Sequence, residues 1–229
     1  MDNENHPPRS GMLPDGLALA DIPTLALQGA LGNTVTLDLL KGDVLPSTYK
    51  FEDYFIVVQT GWVSLNHDNK AFCVLRPGEI FLQSAWLDEV EYAHRGITLS
   101  AETSVRLVLI ERDSFLAVTE PNLMFSLHAF VFQRMLFLMK AVAQLNREHL
   151  PERLAHFLWD LSTPLPDGVR LIPPISPTTI ADCLGIGLDE LNQKREALKK
   201  KGHLIEQSTG EYLTAEVGAQ ARAAGYGRE

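Results

Sequence analysis

SPTTIADCLGIGLDELNQKREALKKKGHLI, residues Ser176 to Ile205, reads as two short helices joined by a tight turn. Ser176 is a good N-cap, and Pro177 suits the first helical position, whose N–H has no helical partner. Ile180, Ala181 and Leu184 then fall on one helical face. Gly185-Ile186-Gly187 breaks the helix, because glycine accepts positive φ at little steric cost. A second helix is predicted from Leu188, with Leu188, Leu191, Arg195 and Leu198 at helical spacing. Its last turn carries Lys199, Lys200 and Lys201, and Gly202 supplies the residue that ends it. Two such helices with a basic end have the form of a helix-turn-helix, whose second helix lies in the major groove of DNA. A plain helical hairpin with a solvated lysine end has the same local pattern, so the rest of the chain must decide.

The chain has 229 residues, enough for one or two domains with a real core. Its 45% hydrophobic and 21% charged residues are those of an ordinary globular protein. A formal charge of −9 argues against a protein that coats nucleic acid by bulk electrostatics. A local basic patch suffices for a regulator, and Lys194, Arg195, Lys199, Lys200 and Lys201 supply one. The two cysteines, Cys73 and Cys183, are far apart in sequence and suggest neither a disulfide framework nor a thiolate metal site. Reduced thiols and a cytoplasmic location are expected. The polar start MDNENHPPRSG lacks the apolar core of a signal peptide. Residues 123–145 are the most apolar stretch, but Ser126, His128, Gln133, Arg134 and Lys140 interrupt it, so no membrane span is expected.

Residues 1–17 read as a disordered tail. A weak helical segment follows to about residue 31. From about 35 to 110 the signals are those of strands: Thr34-Val-Thr-Leu-Asp-Leu, Tyr54-Phe-Ile-Val-Val, Trp62-Val-Ser-Leu, Phe72-Cys-Val-Leu, Ile97-Thr-Leu and residues 105–110. Turn signals separate them at Lys41-Gly-Asp, Thr60-Gly, His67-Asp-Asn and Arg76-Pro-Gly-Glu. Short strands at this spacing predict an antiparallel barrel or roll, assigned to residues 18–120 with a short helix near Asp113 to Val118. Pro121 then opens a long helix, assigned to 121–149. Met124, Val131, Met135, Leu138, Val142 and Leu145 are the expected dimer interface; the last five repeat at 4-3-4-3 spacing, a coiled-coil seam. The region 150–229 is expected to be a separate domain. It contains an amphipathic helix at 151–162 with Leu154, Phe157, Leu158 and Leu161 inward, and a proline-rich connector at 163–174 with a Pro166-Asp-Gly turn. The helix pair follows, then a hairpin or wing in which Leu204-Ile-Glu and Glu211-Tyr-Leu-Thr flank Gln207-Ser-Thr-Gly. A short weak helix is expected from about Ala215. The fold class is thus α+β: an N-terminal β-roll, a long dimerisation helix and a C-terminal winged helix-turn-helix.

This order resembles the CRP/FNR family of bacterial transcription regulators over about residues 30–214. The resemblance is carried by Leu40-x-Gly42-Asp43, Gly61-x-Val63, Arg76-x-Gly78-Glu79, Glu152-Arg153-Leu154-Ala155-x-Phe157-Leu158, Ile180-Ala181-x-x-Leu184-Gly185 and Leu198-x-x-x-Gly202. Each motif is weak alone; their ordered set is specific. The resemblance implies a homodimer reading a double-stranded operator with two-fold-related half-sites about one helical turn apart, with RNA polymerase as a further partner. The expected DNA-contacting set is Thr178, Thr179, Gly187, Leu188, Asp189, Asn192, Gln193, Lys194, Arg195, Lys199, Lys200 and Lys201. The second helix departs from the family pattern, which often carries Ser-Arg-Glu at its start and a further arginine one turn on. Here those places hold Gly187, Leu188, Asp189 and Gln193. Gln193 and Asn192 can pair bidentately with adenine, and Leu188 can meet a thymine methyl. The lysines suit backbone contacts, which position without specifying. A structural role for Arg195 is also open, since it lies on the spacing of the apolar face.

In cyclic-nucleotide-binding members of that family the roll binds the ligand with a Gly-Glu-Leu and an Arg-Ser-Ala segment. The corresponding places here, Gln83, Ser84, Arg95 and Gly96, with Leu138 and Met139 from the long helix, form the expected effector pocket. Gly96-Ile97 replaces Ser-Ala, Gln83 stands near the expected glutamate, and the acidic run Leu87-Asp-Glu-Val-Glu opposes an anion. Cyclic AMP is therefore disfavoured. An iron–sulfur cluster needs about four thiolates and is disfavoured too. Haem stays open, with His67, His94 and His128 as the histidines to weigh, and the effector is otherwise unassigned. No metal site is expected. An enzyme is disfavoured: the β segment has no His-x-His set, and there is neither a Gly-rich phosphate loop nor a nucleophile elbow. Two functions remain. One is an effector-modulated DNA-binding regulator. The other is a cyclic-nucleotide-type binding module whose DNA reading has degenerated and which acts through protein contacts.

Overall fold

In the computed structural model, which describes residues 34–51, 53–81, 96–111, 113–114, 150–166 and 168–217, the apolar run at 54–58 lies inside a four-stranded antiparallel sheet. Its strands are β1 (Thr34–Leu39), β2 (Tyr54–Thr60), β5 (Ile80–Phe81) and β7 (Val105–Glu111), in the order β1-β7-β2-β5. Ile56 faces Leu109 and Val58 faces Leu107 on the roll-core side. Phe55, Val57, Val108 and Ile110 are buried on the opposite side. A sheet covered on both faces gives a continuous apolar run rather than an alternating one, which is why 54–58 shows no polar interruption. β3 (Val63–His67), β4 (Lys70–Leu75) and β6 (Ile97–Ala101) form a second antiparallel sheet in the order β4-β3-β6. Asp68 and Asn69, both at positive φ, make its hairpin turn, as short polar residues tolerate that conformation. The six predicted strands are therefore all present. The two-residue β5 is not legible in the sequence, because so short a segment has no period.

Beyond the roll, α1 (Leu150–Leu161) buries Leu154 and Leu158, with Phe157 and Leu161 partly buried beside them. The connector needs correcting. It holds two short strands, β8 (Thr163–Pro164) and β9 (Arg170–Ile172). These extend the predicted wing, β10 (Leu204–Gln207) and β11 (Gly210–Leu213), into a four-stranded sheet ordered β10-β11-β9-β8. Flanking prolines hid β9, since proline is confined to sheet edges and strand ends and reads locally as a breaker. The helix pair is α2 (Pro177–Leu184) and α3 (Leu188–Lys200).

The predicted tail at 1–17, the helical segment to about 31 and the long helix at 121–149 lie outside the described residues, as do the last four residues of the short helix at 113–118 and the chain beyond Val217. The seam residues Met124, Val131, Met135, Leu138, Val142 and Leu145 lie there too.

The division between roll and helical region is less clean than the sequence suggests. The core around Leu154, Leu158, Ile180, Leu184, Leu191, Leu198, Leu204 and Leu213 also takes in Val74 from β4, with Trp62 packed against it. α2 lies along β4.

Candidate nucleic-acid interface

The geometry of the helix pair follows from its punctuation. Ser176 is the N-cap of α2: its side chain accepts from Thr179 N at 3.0 Å, and Pro177 takes the first helical position. Gly185 ends the helix at φ 66, ψ 36, donating back to the carbonyls of Ala181 and Asp182. An Nη2 of Arg153 donates to the carbonyl of Leu184, one of the acceptors a helix end leaves open. Arg153 stands in the Glu152-Arg153-Leu154 motif, so that part of the motif has a physical reason. Gly187 has an extended backbone at φ −74 and serves as the N-cap of α3. Its role is thus a cap, and positive φ is needed only at Gly185.

α3 is anchored by Leu191 and Leu198, both buried, and turns its other side outward. Leu188 at 44% exposure, Asp189, Glu190, Asn192 and Gln193 all lie on the surface. The spacing groups Leu188 with Leu191 and Leu198, but at the first position of α3 it is exposed, because the helix turns its first residue away from the core that holds the other two. Asp189 and Glu190 occupy the first turn, where the helix dipole favours negative charge.

The basic end is less free than its composition suggests. Arg195 pairs with Glu211 of β11, and its side chain is 15% exposed. Lys199 Nζ lies 2.7 Å from Glu206 Oε2 and 3.2 Å from Glu196 Oε1. Those hydrogen bonds, with that to Glu206 the stronger, raise the Lys199 pKa and lower that of Glu206. Glu206 and Glu211 stand directly opposite each other in the β10–β11 register. Like charges facing across a hairpin repel, so the two cations on α3 stabilise the wing as well as the helix. Lys200 and Lys201 are exposed and Lys194 partly so. At the other end of the unit, Thr178 is exposed, but Thr179 is buried. The Thr179 hydroxyl donates to Glu102 Oε1 at 2.6 Å. It is therefore removed from the DNA-facing surface on which the sequence placed it.

The sequence did not single out Glu102, Glu206 or Glu211. For the wing pair a signal was present: Glu206 and Glu211 directly flank the predicted Gln207-Ser-Thr-Gly connection, so in a hairpin they face each other and call for cations. For Glu102 there was none, because its partners lie more than seventy residues away.

Of the expected effector pocket, Gln83, Ser84, Arg95, Leu138 and Met139 lie outside the described residues, as do His94 and His128. Gly96 is an exposed turn residue at φ 88 preceding β6, beside His67 and Asp68. Among the described residues no group of three or more His, Cys, Asp or Glu is placed to hold a metal ion. The Cys183 thiol is pushed up to about 12, chiefly by burial, with Cys73, Asp182 and Glu102 nearby adding to the effect. Among the described residues no helix is long and apolar enough to cross a membrane.

No protein-family model matches the chain, and no curated protein sequence matches it. Solved structures do. FixK2 from Bradyrhizobium japonicum superposes with a TM-score of 0.66 at 18% identity, covering 83% of this chain and 96% of its own. A CooA variant from Carboxydothermus hydrogenoformans gives 0.66 at 17% identity, covering 92% and 96%. A transcriptional regulator of the CRP/FNR family from Thermus thermophilus gives 0.61 at 19%, covering 83% and 98%. The likeness spans the roll and the helical region together.

Proposed function

We propose that this chain, which has the roll and winged-helix fold of the CRP/FNR transcription regulators, is itself a sequence-specific DNA-binding regulator. The observation that supports this most directly is the outward side of α3. Leu191 and Leu198 fix the helix from behind, while Leu188, Asn192 and Gln193 are left on the surface at the end that a helix-turn-helix offers to base edges. Gln193 and Asn192 would pair with adenine, and Leu188 would meet a thymine methyl, so the half-site would be rich in A·T pairs at these positions. Asp189 would remain solvated or face a cytosine amine. Lys194, Lys200 and Lys201 would contact phosphates and set register without sequence information. Gly187 and Thr178 would border the contact. The protein would act in the cytoplasm as a homodimer through the 121–149 helix, on an operator with two-fold-related half-sites, and could engage RNA polymerase from there. A small effector in the roll, other than cyclic AMP, would shift the balance between two arrangements of the reading helices.

The pairing of Arg195 and Lys199 with wing glutamates favours a second reading, in which DNA reading has degenerated and the chain acts through protein contacts. On α3 and its end, Lys194, Lys200 and Lys201 remain for phosphates, and Asp189 and Glu190 in its first turn are acidic. The two readings separate in a gel-shift titration against the DNA upstream of the chain's own coding sequence, run at several salt concentrations. The regulator reading predicts salt-sensitive, sequence-selective binding, and Gln193→Ala should relax the preference at one base pair by about 1–3 kcal/mol. Equal losses on every sequence would remove Gln193 from base reading, and no selective binding at all would leave the second reading.

A further inference from the structure

Glu102 lies in the turn between β6 and β7, 7% exposed, and its carboxylate reaches the start of α2. Oε2 accepts from Ser176 N at 2.9 Å and Oε1 from the Thr179 hydroxyl at 2.6 Å. A carboxylate from the roll thus joins Ser176 in capping α2, at the end where the helix dipole favours an anion. One turn further on, Asp182 Oδ2 accepts from Ala71 N of β4 at 3.2 Å. β4 is an edge strand of its described sheet, and α2 covers that edge. The same helix is therefore held twice. The roll supplies an acceptor to α2 at one place, and α2 supplies an acceptor to the roll at the other.

The anchor under Glu102 is stiff. Glu102 N donates to the Trp62 carbonyl at 2.9 Å, and Thr103 Oγ1 accepts from Trp62 N at 3.0 Å. Gly61 at φ 81 has no room for a side chain: a Cβ there would stand 2.3 Å from the carbonyl oxygen of Ser104. The two turns are locked face to face, and Trp62 packs on the core of the DNA-reading unit.

We propose that Glu102 and Asp182 form a two-point clamp that fixes α2 on the roll and so sets the direction in which α3 presents its reading face. Glu102 is a positioning residue: it touches no DNA, yet its loss would let the reading unit swing on its connector. The consequence for DNA rests on the function proposed above, whereas the clamp itself is measurable without DNA. Amide hydrogen exchange of the full-length, DNA-free protein reports it. In Glu102→Ala, the Ala71 amide, thirty-one residues from the substitution, should exchange on the order of tenfold faster, while Val57 and Leu107 in the roll core keep their protection. Faster exchange confined to Ser176 and Thr179 would reduce Glu102 to a local cap and overturn the clamp. Should Glu102→Ala lose core protection as well, Thr179→Val removes one contact and keeps the shape. It should still speed Ala71, and no change there would overturn the proposal. With the clamp open, operator binding should weaken by about tenfold. Unchanged binding would overturn the positioning role. Absence of selective binding by the unsubstituted protein would strike only the DNA-reading function, leaving the exchange result standing.

Discussion

Arg195 and Lys199 carry charges that spacing assigns to phosphates, yet each has a glutamate of the wing in reach. Arg195 is only 15% exposed, so removing it strands Glu211 in a partly desolvated place. Arg195→Ala should therefore lower stability by about 1–3 kcal/mol in a denaturant titration and leave the salt dependence of DNA binding nearly unchanged. Lys200→Ala should do the reverse, keeping the melting profile and flattening the slope of log K against log salt by about 0.9 per protomer. A slope change for Arg195→Ala equal to that of Lys200→Ala would place Arg195 on a phosphate instead. Cys183 makes a separate test of burial. Its thiol is raised to about 12 from the ordinary 9.0, so the folded state holds its proton where the unfolded chain releases it. The associated stability is present below about pH 9 and falls away between there and about 12. At pH 8 alkylation of Cys183 in the folded protein should be roughly a thousandfold slower than in the unfolded chain. Comparable rates in a mass-spectrometric time course would contradict the raised pKa of this partly buried thiol.

At the scale of elements, the strands with a period or an apolar run were legible, and so were both helices of the helix pair. Thr34–Leu39 alternates, and it pairs with β7 in unbroken register from Thr34↔Ile110 to Leu39↔Val105. Ser176, Gly185 and Gly202 mark helix ends because capping is chemistry within a few residues of the chain. β5, β8 and β9 were not legible, being two or three residues long and defined only by their partners. The turn at Gly61 was legible as a turn, but not as a contact. Its φ of 81 and the nearby Ser104 carbonyl make Gly61→Ala a steric conflict with backbone. It should destabilise by about 3 kcal/mol or more and should also quicken exchange at Ala71, because the anchor of Glu102 shifts with it. An alanine variant as stable as the parent would show that the two turns are not locked.

For the whole molecule, the sequence divides the chain into a roll, a connecting helix and a DNA-reading region. The described residues make the first and last of these share a core. Val74 of β4 packs with Leu184 and Leu191 in one cluster, and α2 shields the β4 edge. The coupling proposed between an effector in the roll and α3 would pass through this joint. The expected dimer seam and most of the expected effector pocket lie outside the described residues. Among the described residues, the proposed effector control is supported by the joint between the roll and the helical region.

The sequence by itself determined the α+β class, the order of the longer strands and the helices, the capped helix pair and the outward position of Asn192 and Gln193; that Leu188 is exposed was decided by the fold. These follow from periods of two and 3.6 and from turn residues, all of which act within a few positions along the chain. Tertiary structure alone decided which charges are free and which side chains join the two regions. Arg195 meets Glu211 sixteen residues away, and Thr179 meets Glu102 across seventy-seven. A pairing at such separation leaves no period behind, because nothing in the intervening chain must alternate for it to form.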